Sequence, residues 1–259
     1  MKRTTLTDLL RLKTAGTRFA MLTAHDATVA RLLDGVVPLI LVGDSLGNVF
    51  AGHSTTLPVT IEQMIYHTEI VSRETRQAMV VADMPFLSYQ ISIESAKKNA
   101  GALIQKGGAQ AVKLEINAAT LDTAKAIVDM GIPVMGHLGL TPQSVHQLSG
   151  FRRQATSPDA AKALLQLATS LESIGCFAIV LEMIGDDLAK IVTDTVHVPT
   201  IGIGAGRHCD AQVLVTSDLL GWSDKKTPSF VTPYATLFND AQTAVSQFVS
   251  DVEKNKFPH

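Results

Sequence analysis

Ile179-Val180-Leu181-Glu182 is a short β-branched and aliphatic run that stops on a carboxylate, and the chain repeats the arrangement. Leu39-Ile40-Leu41-Val42 leads through one glycine to Asp44, Val80-Val81-Ala82 leads to Asp83, and Ala111-Val112-Lys113-Leu114 leads to Glu115. Val134-Met135-Gly136 runs into His137 in the same way. Continuous apolar runs of this length read as strands buried on both faces. Working outward from them, strands are predicted at 19–23, 39–42, 79–82, 111–115, 133–136, 177–181, 199–203 and 213–216. Helical stretches separate them, and strand–helix alternation is the pattern of a parallel sheet. Eight candidates in 259 residues favour an α/β fold of the closed (βα)8 TIM-barrel kind over a doubly wound open sheet. No linker or low-complexity tract divides the chain, so a single domain over 1–259 is expected.

Several helix ends are legible. Thr60 and Gln63 have the spacing of a capping box ahead of Ile61, Met64, Ile65 and Val71. Ser157-Pro158 opens a helix with Leu164, Leu167, Leu171 and Ile174 on one face, and Gly175 stops it. Tyr234, Leu237, Phe238, Ala241, Val245, Phe248 and Val252 mark a long amphipathic C-terminal helix whose aromatic stripe is read as packing. The stretches 143–156 and 221–232, the latter with Lys225-Lys226, resist assignment and read as binding loops, lids or mobile connections.

Composition narrows the function classes. Lys and Arg total 22 against 24 Asp and Glu, a net charge of -2, which offers no basic excess for a nucleic-acid backbone. The longest apolar runs, such as 36–42, are too short to cross a bilayer, and the first residues lack a signal-peptide core. The two cysteines, Cys176 and Cys209, are read as reduced, buried thiols, so a cytoplasmic protein is expected.

The position of the charged groups is the informative feature. Asp44, Asp83, Glu115, His137 and Glu182 stand at the ends of five different predicted strands, and in a parallel barrel those ends converge on one face. Taken singly, an acid after a strand often caps a turn, His137 fits a core position, and Lys113 with Glu115 fits a structural ion pair. Together, buried carboxylates would each cost several kcal/mol without compensation, and Lys113 supplies only one positive charge. A divalent cation resolves the imbalance, and hard oxygen ligands without thiolate suit Mg²⁺. Gly202-Ile203-Gly204-Ala205-Gly206 lacks dinucleotide-fingerprint spacing and reads equally as an anion-facing turn or a plain tight turn. No GxSxG elbow is present, which sets aside that hydrolase chemistry.

Six segments then carry a resemblance: Val42-Gly43-Asp44-Ser45-Leu46-Gly47, Thr56-Leu57-Pro58-Val59-Thr60, Ala82-Asp83-Met84-Pro85-Phe86, Val112-Lys113-Leu114-Glu115, Gly136-His137-Leu138-Gly139-Leu140-Thr141-Pro142-Gln143-Ser144 and Gly202-Ile203-Gly204-Ala205-Gly206. In content and order they resemble the ketopantoate hydroxymethyltransferases. The resemblance implies a barrel of the phosphoenolpyruvate/pyruvate superfamily. It also implies transfer of a one-carbon unit from 5,10-methylenetetrahydrofolate to 3-methyl-2-oxobutanoate, giving 2-dehydropantoate for pantothenate synthesis. It further implies Mg²⁺, assembly as a homo-oligomer (a decamer in the family), and only small-molecule partners, with no nucleic acid or membrane. By motif, Asp44 and Asp83 would be metal ligands with Glu115 at or near the metal. Asp44, Ser45, Asp83, Lys113 and His137 would bind the keto acid, and Glu182 would be the general base. The chain departs from the family at Ile116-Asn117, at Ser149 and Ala155 where glycines are usual, and at Ala211 and Ser217. Those changes are expected to affect the donor side. The competing expectations are another Mg²⁺-dependent 2-oxo acid lyase or mutase, and a catalytically silent barrel that binds a keto acid.

Overall fold

The computed structural model describes residues 2–224 and 227–258. Strands β1 (Phe19–Thr23), β2 (Leu39–Val42), β3 (Met79–Asp83), β4 (Ala111–Glu115), β5 (Val134–Gly139), β6 (Ala178–Glu182), β7 (Thr200–Ile203) and β8 (Ala211–Leu214) follow one another around a closed barrel. The pairings are parallel and in chain order, for example Asp83 beside Lys113, Glu115 beside His137, and Gly139 beside Glu182. Helices connect them, as a parallel crossover requires. Most strands match their expected bounds to within one residue, and β5 and β8 differ by more. Strand β5 runs three residues past 136 to Gly139, and β6 takes in Glu182 itself. Strand β8 begins at Ala211 rather than 213, and the expected strand end at Thr216 instead starts the short helix Thr216–Leu219.

Two apolar layers build the barrel. Outward-facing residues such as Ile40, Val42, Val80, Val112, Leu114, Val134, Ile179 and Leu181 pack with residues of the surrounding helices. Inward-facing residues such as Met21, Leu39, Leu41, Met79, Val81, Ala111, Met135 and Val180 form a second core inside. Alternation of side chains along each strand produces both layers at once. The helix signals hold where they are local. Thr60 and Gln63 make the reciprocal capping box of Ile61–Glu74, and Ser157 caps Pro158–Ser173 by accepting from Ala160 N.

The chain divides into two compact units after Val213. The first holds the barrel. In the second, Tyr234 N and Leu237 N donate to the carbonyls of Leu219 and Leu220, and the long helix spans Leu237–Glu253, starting three residues after Tyr234. Phe248 of its aromatic stripe meets Phe257 edge-on, with ring centroids 5.2 Å apart. Lys225 and Lys226 lie outside the described residues. Among the described residues no helix is long and apolar enough to cross a membrane.

Candidate active site

Strand direction brings the predicted acids together. Asp83 ends β3 and uses both carboxylate oxygens: Oδ1 lies 2.9 Å from Lys113 Nζ, and Oδ2 accepts the backbone N–H of Asp44 at 3.0 Å. Lys113 therefore pairs across the sheet with Asp83, rather than along its own strand with Glu115 as the spacing suggested. Its Nζ also lies 3.4 Å from His137 Nδ1. An ammonium only donates, so Nδ1 accepts and the ring proton belongs on Nε2. That Nε2 lies 3.1 Å from Glu182 Oε2, a close contact set off the hydrogen-bond line. A continuous chain of polar groups thus runs from Asp44 through Asp83, Lys113 and His137 to Glu182.

The site is dry. Asp44, Asp83, Lys113, Glu115 and His137 are all buried, and Glu182 is partly buried. Burial, followed by the neighbouring charge of Asp83, raises the Asp44 carboxyl from 3.8 to about 7. Burial and then Asp44 push Glu115 well above the ordinary carboxylate range. Burial also acts to lower Lys113, but Asp83, Asp44 and Glu115 together outweigh it and hold the ammonium charged. His137 is lowered, first by burial and then by Lys113, so its ring is neutral near pH 7.

These features test whether a divalent cation suits the site. The donors are carboxylate oxygens, their number exceeds the single lysine charge, and Ser45 Oγ is buried there without a hydrogen-bond partner. Among the described residues no three His, Cys, Asp or Glu side chains gather closely enough to hold a metal ion alone. Two acids with water and substrate oxygens are the usual Mg²⁺ arrangement, and Asp44 with Asp83 fits it. Glu115 stands beside them with both oxygens accepting from Gln143 N, each at 3.1 Å.

Three supporting features fall outside the predicted set. Gln143, in the 3₁₀ turn Pro142–Ser144, donates Nε2 to Asp44 Oδ2 at 2.8 Å, and Tyr89 donates to Gln143 Oε1 at 2.8 Å. His25 Nε2 lies 3.2 Å from Gly43 O and braces the turn that carries Asp44. Gly139 has φ +94°, and a Cβ there would sit 2.2 Å from Glu182 O, so only glycine lets the end of β5 approach Glu182 this closely. Gln143 stood in a quoted motif without an assigned role, and Tyr89 follows β3 with no periodic signal.

The loops settle two further points. Ser149 and Ala155, the glycine departures, both hold left-handed φ (57° and 52°), as does Met183 (50°) directly after Glu182. Gln154 N donates to Met183 O at 2.8 Å, which ties this loop to the end of β6. In the glycine run, a Cβ at Gly206 would fall 1.8 Å from Asp186 Oδ1, and that carboxylate already accepts Arg207 N at 3.0 Å. The run is therefore a tight turn closed on an acid.

A closed parallel barrel with ionisable groups from successive strands gathered at its carboxyl mouth is the arrangement in which (βα)8 TIM-barrel enzymes build their active sites. The fold is similar to a solved phosphonopyruvate hydrolase in complex with oxalate and Mg²⁺, with TM-score 0.63 and 11% identity over 99% of this chain and 88% of that one. Sequence is more specific. The ketopantoate hydroxymethyltransferase family matches residues 3–259. The chain is 48% identical to a 3-methyl-2-oxobutanoate hydroxymethyltransferase of Geobacter sulfurreducens over 98% of its length and 96% of that protein. It is 51% identical to the protein of that name from Dehalococcoides mccartyi, over 99% and 91%. The chain belongs to the ketopantoate hydroxymethyltransferase family and is an enzyme of that type.

Proposed function

We propose that the chain transfers a hydroxymethyl group from 5,10-methylenetetrahydrofolate to 3-methyl-2-oxobutanoate, giving 2-dehydropantoate in pantothenate biosynthesis, with Mg²⁺ at the barrel mouth. The observation that carries this reading is the buried chain Asp44–Asp83–Lys113–His137–Glu182, which sets an oxygen-rich pair at one end and a carboxylate at the other. Family membership supports the reaction, and the relatives' name supplies the keto acid.

Asp44 and Asp83 would hold Mg²⁺, with Glu115 beside it. The ion, when bound, supplies a Lewis acid for the keto oxygen. Lys113, kept charged among the acids, and Ser45, with an unpartnered hydroxyl, would bind the carboxylate and carbonyl end of the substrate. Neutral His137 contacts Glu182 and keeps that carboxylate at the strand end. Glu182 then accepts the C3 proton as a general base. The substrate carbon bonds to the methylene carbon of the donor, water supplies the hydroxyl oxygen, and tetrahydrofolate leaves. The positive φ positions at Ser149 and Ala155 sit in the loop assigned to the donor side. A cytoplasmic homo-oligomer, decameric as the family resemblance implies, completes the reading.

Proton NMR of 3-methyl-2-oxobutanoate in D₂O with the purified protein and Mg²⁺ tests metal, substrate and base together without the donor. The C3 proton signal is expected to disappear at an enzyme-dependent rate that chelation abolishes. Exchange no faster than in buffer would overturn the reading.

A further inference from the structure

Gln143 is buried at the mouth, and both ends of its amide are in use. Nε2 donates to Asp44 Oδ2 at 2.8 Å and to Met84 O at 2.9 Å. Oε1 accepts from the Tyr89 hydroxyl at 2.8 Å and from Gln90 Nε2 at 3.2 Å. The backbone N–H of the same residue faces both oxygens of Glu115. One residue after β5 therefore meets the acid after β2, the acid that ends β4, and the segment after β3.

The amide can point only one way. Met84 O is a carbonyl and can only accept, so the NH₂ group must face it and Asp44 Oδ2, and Oε1 must face Tyr89. The Tyr89 oxygen receives Glu115 N–H at 3.2 Å, which leaves its own proton to aim at Gln143 Oε1. The circuit runs from Glu115 N–H through Tyr89 and Gln143 to Asp44, and returns from Gln143 N–H to the Glu115 carboxylate. A residue that merely staples loops would serve backbone groups. Here two of the bonds end on the carboxylates that crowd the mouth.

We propose that Gln143, oriented by Tyr89, is a positioning residue that fixes the Asp44 carboxylate and thereby sets the affinity of the barrel mouth for a divalent cation. The inference rests on the reading of Asp44 as a metal ligand. Hydrogen-bond partners behind a ligand hold its orientation, and losing one typically costs about 10- to 100-fold in metal affinity or activity.

The test is titration of the full-length protein with Mn²⁺ as the probe, without substrate, following free Mn²⁺ by electron paramagnetic resonance. Gln143→Met keeps the length and the backbone N–H but removes the amide, and Tyr89→Phe removes only the hydroxyl that orients it. Mn²⁺ binding is expected to weaken about 10- to 100-fold in Gln143→Met and by a smaller factor in Tyr89→Phe. Raising Mg²⁺ should restore most of the C3 exchange rate in both. A purely structural role would lower the melting temperature and leave the affinity of the folded protein unchanged. Affinities within about twofold of wild type in both variants would overturn the proposal. Should Gln143→Met fail to fold, an unchanged affinity in Tyr89→Phe overturns it alone. Wild-type protein that binds no Mn²⁺ overturns the metal reading itself, whereas normal wild-type binding with unaffected variants removes only the role of Gln143.

Discussion

At the amino end of the barrel the interior is filled by Met21, Leu39, Met79, Ala111 and Ala178, all of them buried. Further along the same strands, on the same inward face, Met79 and Val81 give way to Asp83, Ala111 to Lys113 and Glu115, Met135 to His137, and Val180 to Glu182. The lower end removes apolar surface from water and stabilises the fold. The upper end buries carboxylates, which raises Asp44 and Glu115 against their preference for ionisation. The side-chain period thus places a stabilising floor and a strained mouth only two to four residues apart, and enzymes commonly concentrate such destabilising polarity where chemistry occurs.

The widest separation between the two ends should appear in a pair of substitutions. Glu182→Gln at the mouth should lower turnover on the order of 10²-fold or more, the usual cost of losing a positioned base. Thermal melting should scarcely change. At the floor, Leu39→Ala should cost about 2–5 kcal/mol of stability by leaving a cavity, measured by urea unfolding. C3 exchange per folded molecule should survive. If the floor variant loses exchange selectively, or the mouth variant unfolds, the two ends are not separable in this way.

A smaller effect sharpens the contrast. Asp44 has a carboxyl raised to about 7 in the native protein, against 3.8 as its ordinary value. Between those values the native state holds a proton that the unfolded chain has released, so stability without metal falls as pH rises from about 4 through about 7. Asp44→Asn removes that term. The metal-free variant should gain at least about 1 kcal/mol over wild type at pH 8 and much less at pH 4, because one pH unit of displacement is worth about 1.4 kcal/mol. An equal change at both pH values would show that the mouth is not destabilised by its charges.

The smallest effect belongs to the loop beyond the mouth. Ala155 holds φ at 52°, a conformation that costs an L residue roughly 1–2 kcal/mol and glycine almost nothing. Ala155→Gly should therefore be close to neutral or stabilising by up to about 1 kcal/mol, the gain in chain entropy of the unfolded state offsetting part of the relief. The apparent KM for the folate donor should move more than the rate of C3 exchange. A change in exchange alone would assign the loop to the keto acid.

How far each feature was legible follows from the range of the interaction behind it. Strand β6 ends on Glu182 and β3 on Asp83 because an apolar run of fixed period ends on an acid, a pattern contained in a few adjacent residues. The capping box of Thr60 and Gln63 is local in the same way. Strand β8 was displaced because Ala211-Gln212-Val213-Leu214 carries a polar residue in the middle, and its pairing with β7 through Ala211 and Gln212 decides its start. The partner of Lys113 was not legible, because spacing within one strand offers Glu115 but cannot show that Asp83 lies alongside on the next.

The sequence by itself determined the alternation of strands and helices, the closed barrel, the acids at the strand ends and the family to which the chain belongs. Periodicity, chain direction and local motifs suffice for each of these. Only the tertiary structure decided that Asp83 takes Lys113, that His137 stands between Lys113 and Glu182, and that Gln143 and Tyr89 lock Asp44 to Glu115. Those bonds join residues 24 to 99 positions apart. A hydrogen bond or ion pair is set by distance and angle in space, and closure of the barrel brings the partners within about 3 Å of one another.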